Sequence, residues 1–336
     1  MPIKTKRRVL VKLGNNCNLS CSYCHASKNS EYTYNPDIID FINKEQFDKV
    51  AFGGGEPLLY FDMIKKIVEG MDKKDTFYKF STNGFLITDT IVEFCNAHSI
   101  GVQISFDGYA TGRRYPNDER LAIFAKLHNK SINTVLWSAN ADIEQLEREC
   151  QAFGQKIGIE LNHVLPSFMH QTAVNGENLK RADRELARSY IKYYNRAMES
   201  YIYRFLQGQR FDRGLMMKFG ELFNDNLYMH GTMCCNENNL MMTASGDFLL
   251  CPYGSNKVGN IYSGVDWELV ESYIPARCKV CALRSKCGCS CVSNVTDNEC
   301  YIYKNTYNHF LKVCDKYNIT PQALKAKIKQ VFIDKQ

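Results

Sequence analysis

The sequence predicts an α/β fold: an incomplete (β/α)6 barrel of the TIM type followed by a cysteine-rich C-terminal domain. Three observations carry this. Short apolar or β-branched runs bounded by Gly, Asn or Asp recur six times in the first half. Amphipathic helical patterns lie between several of them, and strands alternating with helices imply a parallel sheet with right-handed crossovers. Nine of the fifteen cysteines fall between positions 234 and 300, where long periodic runs are few.

The strand candidates are residues 9–13, 50–53, 77–81, 102–106, 133–138 and 159–164. A helix over 88–98 has Ile91, Val92, Phe94 and Cys95 on its apolar face, and one over 120–129 has Leu121, Phe124, Ala125 and His128. Residues 181–208 read as one long helix, with Leu186, Tyr190, Ile191, Tyr194, Met198, Tyr201 and Phe205 at three- and four-residue intervals. That aromatic stripe is expected in the core rather than along a substrate channel. The segment 231–300 is expected to be organised by metal rather than by a core. In the tail, Thr320-Pro321 is an N-cap and N1 pair, followed by Leu324, Ile328, Val331 and Phe332 on one face. The expected domains are 1–230, the barrel with its helical connector; 231–300, the cysteine-rich unit; and 301–336, a helical tail.

With 336 residues, 45% hydrophobic and 23% charged, the chain can bury a core without covalent staples. The formal charge of +6 fits a slightly basic solvated surface and demands no nucleic acid. Four basic side chains (Lys4, Lys6, Arg7 and Arg8) precede a short apolar run, Val9-Leu10-Val11, that is broken by Lys12; this is too little for a signal peptide, and no stretch is long enough to span a membrane. A cytoplasmic protein is expected, and in a reducing compartment clustered cysteines are metal ligands more often than disulfides.

Cys17-Asn-Leu-Ser-Cys21-Ser-Tyr-Cys24 directly follows the first strand. Three thiolates on one tight loop can hold three irons of a cubane cluster and leave the fourth open to a ligand. Zinc with His25 as a further ligand is the other reading of this spacing. A loop at the C-terminal end of a barrel strand favours catalysis. The run resembles the signature of the radical S-adenosylmethionine enzymes, whose three cysteines bind a [4Fe-4S] cluster and whose aromatic residue before the third cysteine, here Tyr23, packs near the cofactor. Gly54-Gly55-Glu56-Pro57, after the second strand, resembles that family's Gly-Gly-Glu motif, which binds the methionine ammonium; its glycines permit close backbone approach. Ser81-Thr82-Asn83-Gly84 and Ser105-Phe106-Asp107-Gly108 end the next two strands. They resemble segments that meet the ribose and carboxylate of the cofactor, so Ser81, Asn83, Ser105 and Asp107 are candidate contacts. Arg113 or Arg114 could pair with the methionine carboxylate or lie at the surface.

Cys235, Gly246, Cys251, Cys278, Cys281, Cys287, Cys291 and Cys300 follow a spacing that resembles the SPASM extension of the same enzymes. Carried over by position, the resemblance implies two auxiliary [4Fe-4S] clusters. Cys235, Cys251 and Cys291 would hold one, with Cys234 as a fourth candidate, and Cys278, Cys281, Cys287 and Cys300 would hold the other. Neighbouring side chains in an extended segment point apart, so Cys234 joins Cys235 on one cluster only if the chain turns there; Met233 and Asn236 give no strong turn signal, so an iron without Cys234 is expected. Cys95, Cys150 and Cys314 lie in helical patterns and are expected to be buried small hydrophobes.

The resemblance implies reductive cleavage of S-adenosylmethionine to a 5′-deoxyadenosyl radical that abstracts hydrogen from carbon, with electrons from an external low-potential donor such as flavodoxin or ferredoxin. Relatives with the extension mostly act on peptides and proteins, making crosslinks, thioethers or formylglycine. Only 16 residues precede Cys17, so a leader peptide would need a separate binding protein or the tail. Pro252 stands where the sulfatase-maturing branch has Asp. Radical oxidation of a small molecule and a non-catalytic electron carrier are the other readings, and a carrier would not need Gly54–Glu56 or the Asp107 segment.

Overall fold

The computed structural model describes residues 7–24, 31–161, 164, 167–168, 184–209, 232, 234–251, 254–287 and 297–333. Its first half alternates as the sequence predicts: β1 (Arg8–Gly14), α1 (Asp37–Glu45), β2 (Lys49–Gly54), α2 (Phe61–Glu69), β3 (Phe77–Thr82), α3 (Asp89–Ala97), β4 (Gly101–Ser105), α4 (Asp118–Ala125) and β5 (Lys130–Asn133). Strands β1 to β5 pair in parallel in chain order. Side chains alternate across a strand, and in-register pairing stacks the alternation. Val9 and Val11 of β1 meet Val50 and Phe52 of β2, which meet Tyr78 and Phe80 of β3. These side chains are buried in one core with Ile38 and Ile42 of α1, Ile64 and Ile67 of α2, and Val92 and Cys95 of α3. Thr88 caps α3 by accepting the Ile91 N–H at 3.3 Å.

The fifth and sixth units differ from expectation. The 133–138 candidate splits into the end of β5 and a short β6 (Val135–Leu136). The 159–164 candidate is not a strand in its described part. Helix α5 (Ile143–Lys156) ends there, with Gly158 at φ 71° and the Ile159 N–H donating back to the Gly154 carbonyl at 2.8 Å. This is a Schellman-type cap, and it uses Ile159 as the cap's apolar follower rather than as a strand residue. The parallel partner of β6 is instead β7 (Ser167–Phe168).

The cysteine-rich region is more core-organised than its composition implies. β8 (Asn239–Thr243) pairs in parallel with β1 on the side opposite β2, and all five of its residues are buried. β9 (Asp247–Leu249), β10 (Lys257–Asn260) and β11 (Gly264–Val265) extend it antiparallel, giving nine strands in the order β11-β10-β9-β8-β1-β2-β3-β4-β5. Short helices α7 (Trp267–Ser272), α8 (Ala276–Lys279) and α9 (Arg284–Cys287) follow, then α10 (Asp297–Lys316) and α11 (Pro321–Ile333). Thr320 caps α11 by accepting the Ala323 N–H at 3.1 Å, with Leu324 and Ile328 buried.

The long helix α6 (Arg184–Leu206) packs along α10. Its Leu186, Tyr190, Tyr194, Met198 and Tyr201 are buried in the core, as expected of the stripe. Cys95, Cys150 and Cys314 are likewise core residues. No helix among the described residues is long and apolar enough to cross a membrane.

Candidate functional site

The loop after β1 carries Cys17, Cys21 and Cys24, and the segment after β2 fastens it. The Gly55 N–H donates to the Gly14 carbonyl at 3.0 Å and the Glu56 N–H to the Asn16 carbonyl at 2.8 Å. Gly54 sits at φ 141°, and a Cβ there would overlap the Gly14 carbonyl oxygen; a Cβ on Gly55 would overlap the Asn15 and Asn16 carbonyl oxygens. The two glycines therefore have a steric reason within the chain itself: only backbone without a side chain lets the two loops close on each other. Asn83, after β3, adds a third tie, donating from Nδ2 to Asn18 Oδ1 at 2.6 Å and approaching Cys17 Sγ at 3.8 Å.

The Glu56 carboxylate is buried and fully engaged. It accepts from Thr82 Oγ1 at 2.6 Å, the Asn83 N–H at 2.8 Å and the Leu58 N–H at 3.1 Å. Burial raises its pKa and these donors pull against the rise.

After β4, Asp107 is inaccessible to solvent and organises the opposite wall. Its carboxylate accepts from the Tyr23 hydroxyl, from Arg113 NH1 at 2.6 Å and from the Val135 N–H at 2.7 Å. Arg113 NH1 also reaches the Tyr23 hydroxyl at 3.0 Å, and the Tyr23 ring packs on Trp137 at 5.3 Å between centroids. Burial is the largest single influence on Arg113 and disfavours its cation, but Asp107, Tyr23 and Cys21 together outweigh it and the pKa is raised; burial and then Asp107 raise that of Tyr23. Arg113 Nε and Trp137 Nε1 are buried without a hydrogen-bond partner among the described residues. Arg114 lies instead over the Phe85 ring, so of the two arginines the sequence offers, Arg113 belongs to the site.

These parts surround one cavity of about 420 Å³, within the usual small-molecule range. Cys17, Cys21, Tyr23, Cys24, Gly54, Gly55, Glu56, Ser81, Asn83, Ser105 and Arg113 all line it, so the expected residues converge. Asp107 does not line it and stands behind Arg113. Sequence reasoning missed Lys12, Lys79, Gln103 and Asn133, which also line it; Gln103 accepts from Ser81 Oγ at 3.2 Å and Lys79 Nζ at 3.4 Å. Their signal was available in the strand alternation, since each sits on the face opposite the apolar core.

Burial, chiefly, raises the pKa of Cys17 and Cys21; the neighbouring thiols add to it, while Arg113 pulls Cys21 down. A cationic metal would reverse this balance and hold the sulfurs as thiolates. No three His, Cys, Asp or Glu side chains among the described residues converge on a point suited to a single ion. A cubane does not require that, because each thiolate takes a different iron.

In the C-terminal region, Cys300 on α10 feels Cys278, Cys281 and Arg277, although burial is the largest cause of its raised pKa. Cys287 ends α9. The chain bends at Cys234 and Cys235, with the Thr232 N–H donating to the Cys235 carbonyl at 2.8 Å and Asn236 Nδ2 to the Thr232 carbonyl at 2.7 Å. The turn that Met233 and Asn236 did not signal is therefore present, made by Thr232 and the Asn236 side chain. Cys235 is fully buried, which pushes its thiol to about 12, and Cys234 is half-buried. Cys251 is buried beyond β9. Cys291, Cys289 and His25 lie outside the described residues.

Residues 11–139 match the Radical SAM superfamily, a span that contains the three cysteines and all the motif residues above. The chain carries a Radical SAM domain. Among curated proteins it is 35% identical over 111 residues to an uncharacterised protein of Methanocaldococcus jannaschii, covering 30% of this chain and 39% of that protein. It is 29% identical over 138 residues to the radical SAM cyclopropyl synthase TigE of Paramaledivibacter caminithermalis, covering 33% and 29%. A probable GTP 3′,8-cyclase of M. jannaschii is 24% identical over 210 residues, covering 55% and 70%. The chain thus spans less than half the length of the first two. Among solved structures it resembles anSMEcpe with bound AdoMet and a peptide, at a TM-score of 0.64 and 17% identity over 93% of this chain and 99% of that one. It also resembles Streptococcus suis SuiB bound to its precursor peptide SuiA, at 0.58 and 17% over 86% and 72%. At these identities the likeness is one of fold.

A Radical SAM domain implies S-adenosylmethionine and one [4Fe-4S] cluster, and the residues present fit both. Three thiols share the cavity wall, the glycine segment offers backbone without side chains, and the Arg113 guanidinium presents a buried N–H with no partner.

Proposed function

We propose that this chain is a radical S-adenosylmethionine enzyme that oxidatively modifies a peptide or protein substrate by functionalising a C–H bond, with a crosslink or thioether as the product class. The observation that carries it is the single cavity shared by Cys17, Cys21, Cys24, the Gly54–Glu56 segment, Asn83 and Arg113. Cys17, Cys21 and Cys24 hold the cluster, and the backbone of Gly54 to Glu56 and the guanidinium of Arg113 take the amino and carboxylate groups of the cofactor. Ser81, Asn83 and Ser105 offer hydroxyl and amide groups to the ribose, while Asp107 and Tyr23 fix Arg113 in place. When bound, the cluster and cofactor supply a 5′-deoxyadenosyl radical that takes a hydrogen atom from carbon. The protein excludes water and orients the reactants.

A net oxidation leaves one electron over, and auxiliary [4Fe-4S] clusters in a SPASM-type arrangement would supply an acceptor for it: Cys235, Cys251 and Cys291, with Cys234 as the fourth candidate, would hold one, and Cys278, Cys281, Cys287 and Cys300 would hold the other. An external low-potential donor such as flavodoxin or ferredoxin supplies the reducing electron. The peptide reading is supported by the peptides bound in the two similar structures, anSMEcpe and SuiB, and by the cyclopropyl synthase match. A nucleotide substrate is the second reading, favoured by the match to a probable GTP cyclase. Anaerobic incubation with dithionite and S-adenosylmethionine tests the reading. Formation of 5′-deoxyadenosine is expected, and none would leave only an iron–sulfur carrier or binding module.

A further inference from the structure

The inner face of the sheet is charged, although a closed barrel of this type fills its interior with branched apolar side chains. Arg8 and Lys49 are cross-strand partners. One layer nearer the cysteines, Leu10 and Ala51 pair, and Ala51 in turn pairs with Lys79. The next layer holds Lys12 beside Gly53, with Ser81 beside Gln103 on the neighbouring strands. Four cations thus mark out a trough along one face of the sheet: Lys12 and Lys79 line the cavity, and Arg8 and Lys49 continue the same face outside it, one layer below Lys79 and two below Lys12.

The repulsion within this cluster works against the fold. Like charges facing each other across strands are destabilising. Burial, together with Lys79 and Arg8, lowers the Lys49 pKa to about 8, and burial and Arg8 lower that of Lys79. None of the four makes an ion pair with a carboxylate among the described residues; Lys49 lies over the Phe77 ring, Lys12 over Tyr32, and Lys79 meets only the neutral Gln103. Such a cluster is complete when an anion enters it.

We propose that this trough seats an acidic, extended segment of the substrate, with Asp or Glu carboxylates on Arg8 and Lys49, on Lys79 and on Lys12. The assignment rests on the peptide reading above. Its geometric support is the spacing: the layers are two residues apart along a strand, about 7 Å, which is also the distance between same-side side chains of an extended peptide. A residue two or four positions from the last carboxylate then lies in the cavity beside the cysteine loop.

The test uses the anaerobically reconstituted full chain with S-adenosylmethionine and two fluorescent probes, a short peptide with Asp at alternate positions and its Asn counterpart. Anisotropy should show the Asp peptide binding about tenfold tighter or better. Lys49→Met and Lys79→Met should each weaken the Asp peptide about fivefold and leave the Asn peptide unchanged, and Lys79→Arg should restore binding. Equal affinity for the two peptides, or indifference to the lysine substitutions, would overturn the proposal, as would GTP displacing the Asp peptide at far lower concentration than unlabelled Asp peptide does. The enzymatic reading is scored separately in the wild type: absent 5′-deoxyadenosine with an intact Asp preference sinks that reading alone, and the converse sinks the trough alone.

Discussion

The Glu56 N–H donates to the Asn16 carbonyl at 2.8 Å, so the segment after β2 holds the backbone of the cysteine loop after β1. The Gly-Gly-Glu run is thus built into the loop it serves. Gly55→Ala would push a methyl group into the Asn15 and Asn16 carbonyls. The substitution should cost roughly 2–3 kcal/mol and lose the iron bound at Cys17, Cys21 and Cys24. Urea denaturation and iron analysis check both.

Glu56 should behave as a structural tie. In Glu56→Gln the amide NH2 must face either the Asn83 N–H or the Thr82 and Leu58 donors, leaving donors opposed. A loss of about 1–3 kcal/mol is expected, together with weaker S-adenosylmethionine binding. Isothermal titration and denaturation read the two effects separately.

Asp107 and Arg113 form a pair with side chains 1% and 9% exposed. Asp107→Ala leaves the guanidinium buried and unpaired and should destabilise the protein by about 3–5 kcal/mol. Asp107→Ala with Arg113→Met should recover part of that loss. A double-mutant cycle in urea measures the coupling, and additive losses would show that the two side chains do not act as a pair.

Much of this architecture was legible because it is local. Cysteine spacing, the strand alternation of Val9, Val11 and Leu13, and the Thr88 and Thr320 caps are all written in short windows. What sequence distance hides is tertiary. β8 joins β1 from more than 220 residues away, which alternation alone cannot signal. Ile159 and Val164 look like strand residues, but Gly158 turns the first into a helix cap, and the second gives its N–H to the Tyr193 hydroxyl at 3.2 Å. The choice of Arg113 over Arg114 depends on the positive φ angles of Gly108 and Gly112, which fold the loop back onto Asp107.

Cys300 and Cys314 lie on one helix yet meet different surroundings, the first near Cys278 and Cys281 and the second in the core. Cys300→Ala should remove about four of roughly twelve irons if three cubanes are held. Cys314→Ala and Cys95→Ala should remove none, as iron and sulfide assays will show. Cys95 adds a pH signature: burial holds its thiol at about 12, against a value of 9.0 for an unburied thiol. The folded state then binds more protons between those values, so stability falls as pH rises through that window. Cys95→Ala should flatten the fall by about 1.4 kcal/mol per pH unit.

The central claim is that the Cys17, Cys21 and Cys24 loop holds a cluster with an iron open to S-adenosylmethionine. Low-temperature electron paramagnetic resonance of the dithionite-reduced protein, with and without that cofactor, tests it most directly. The signal should change on adding the cofactor, and the change should vanish when Cys17, Cys21 and Cys24 are replaced by Ala. A spectrum indifferent to the cofactor, or a change that survives the triple replacement, would contradict the claim.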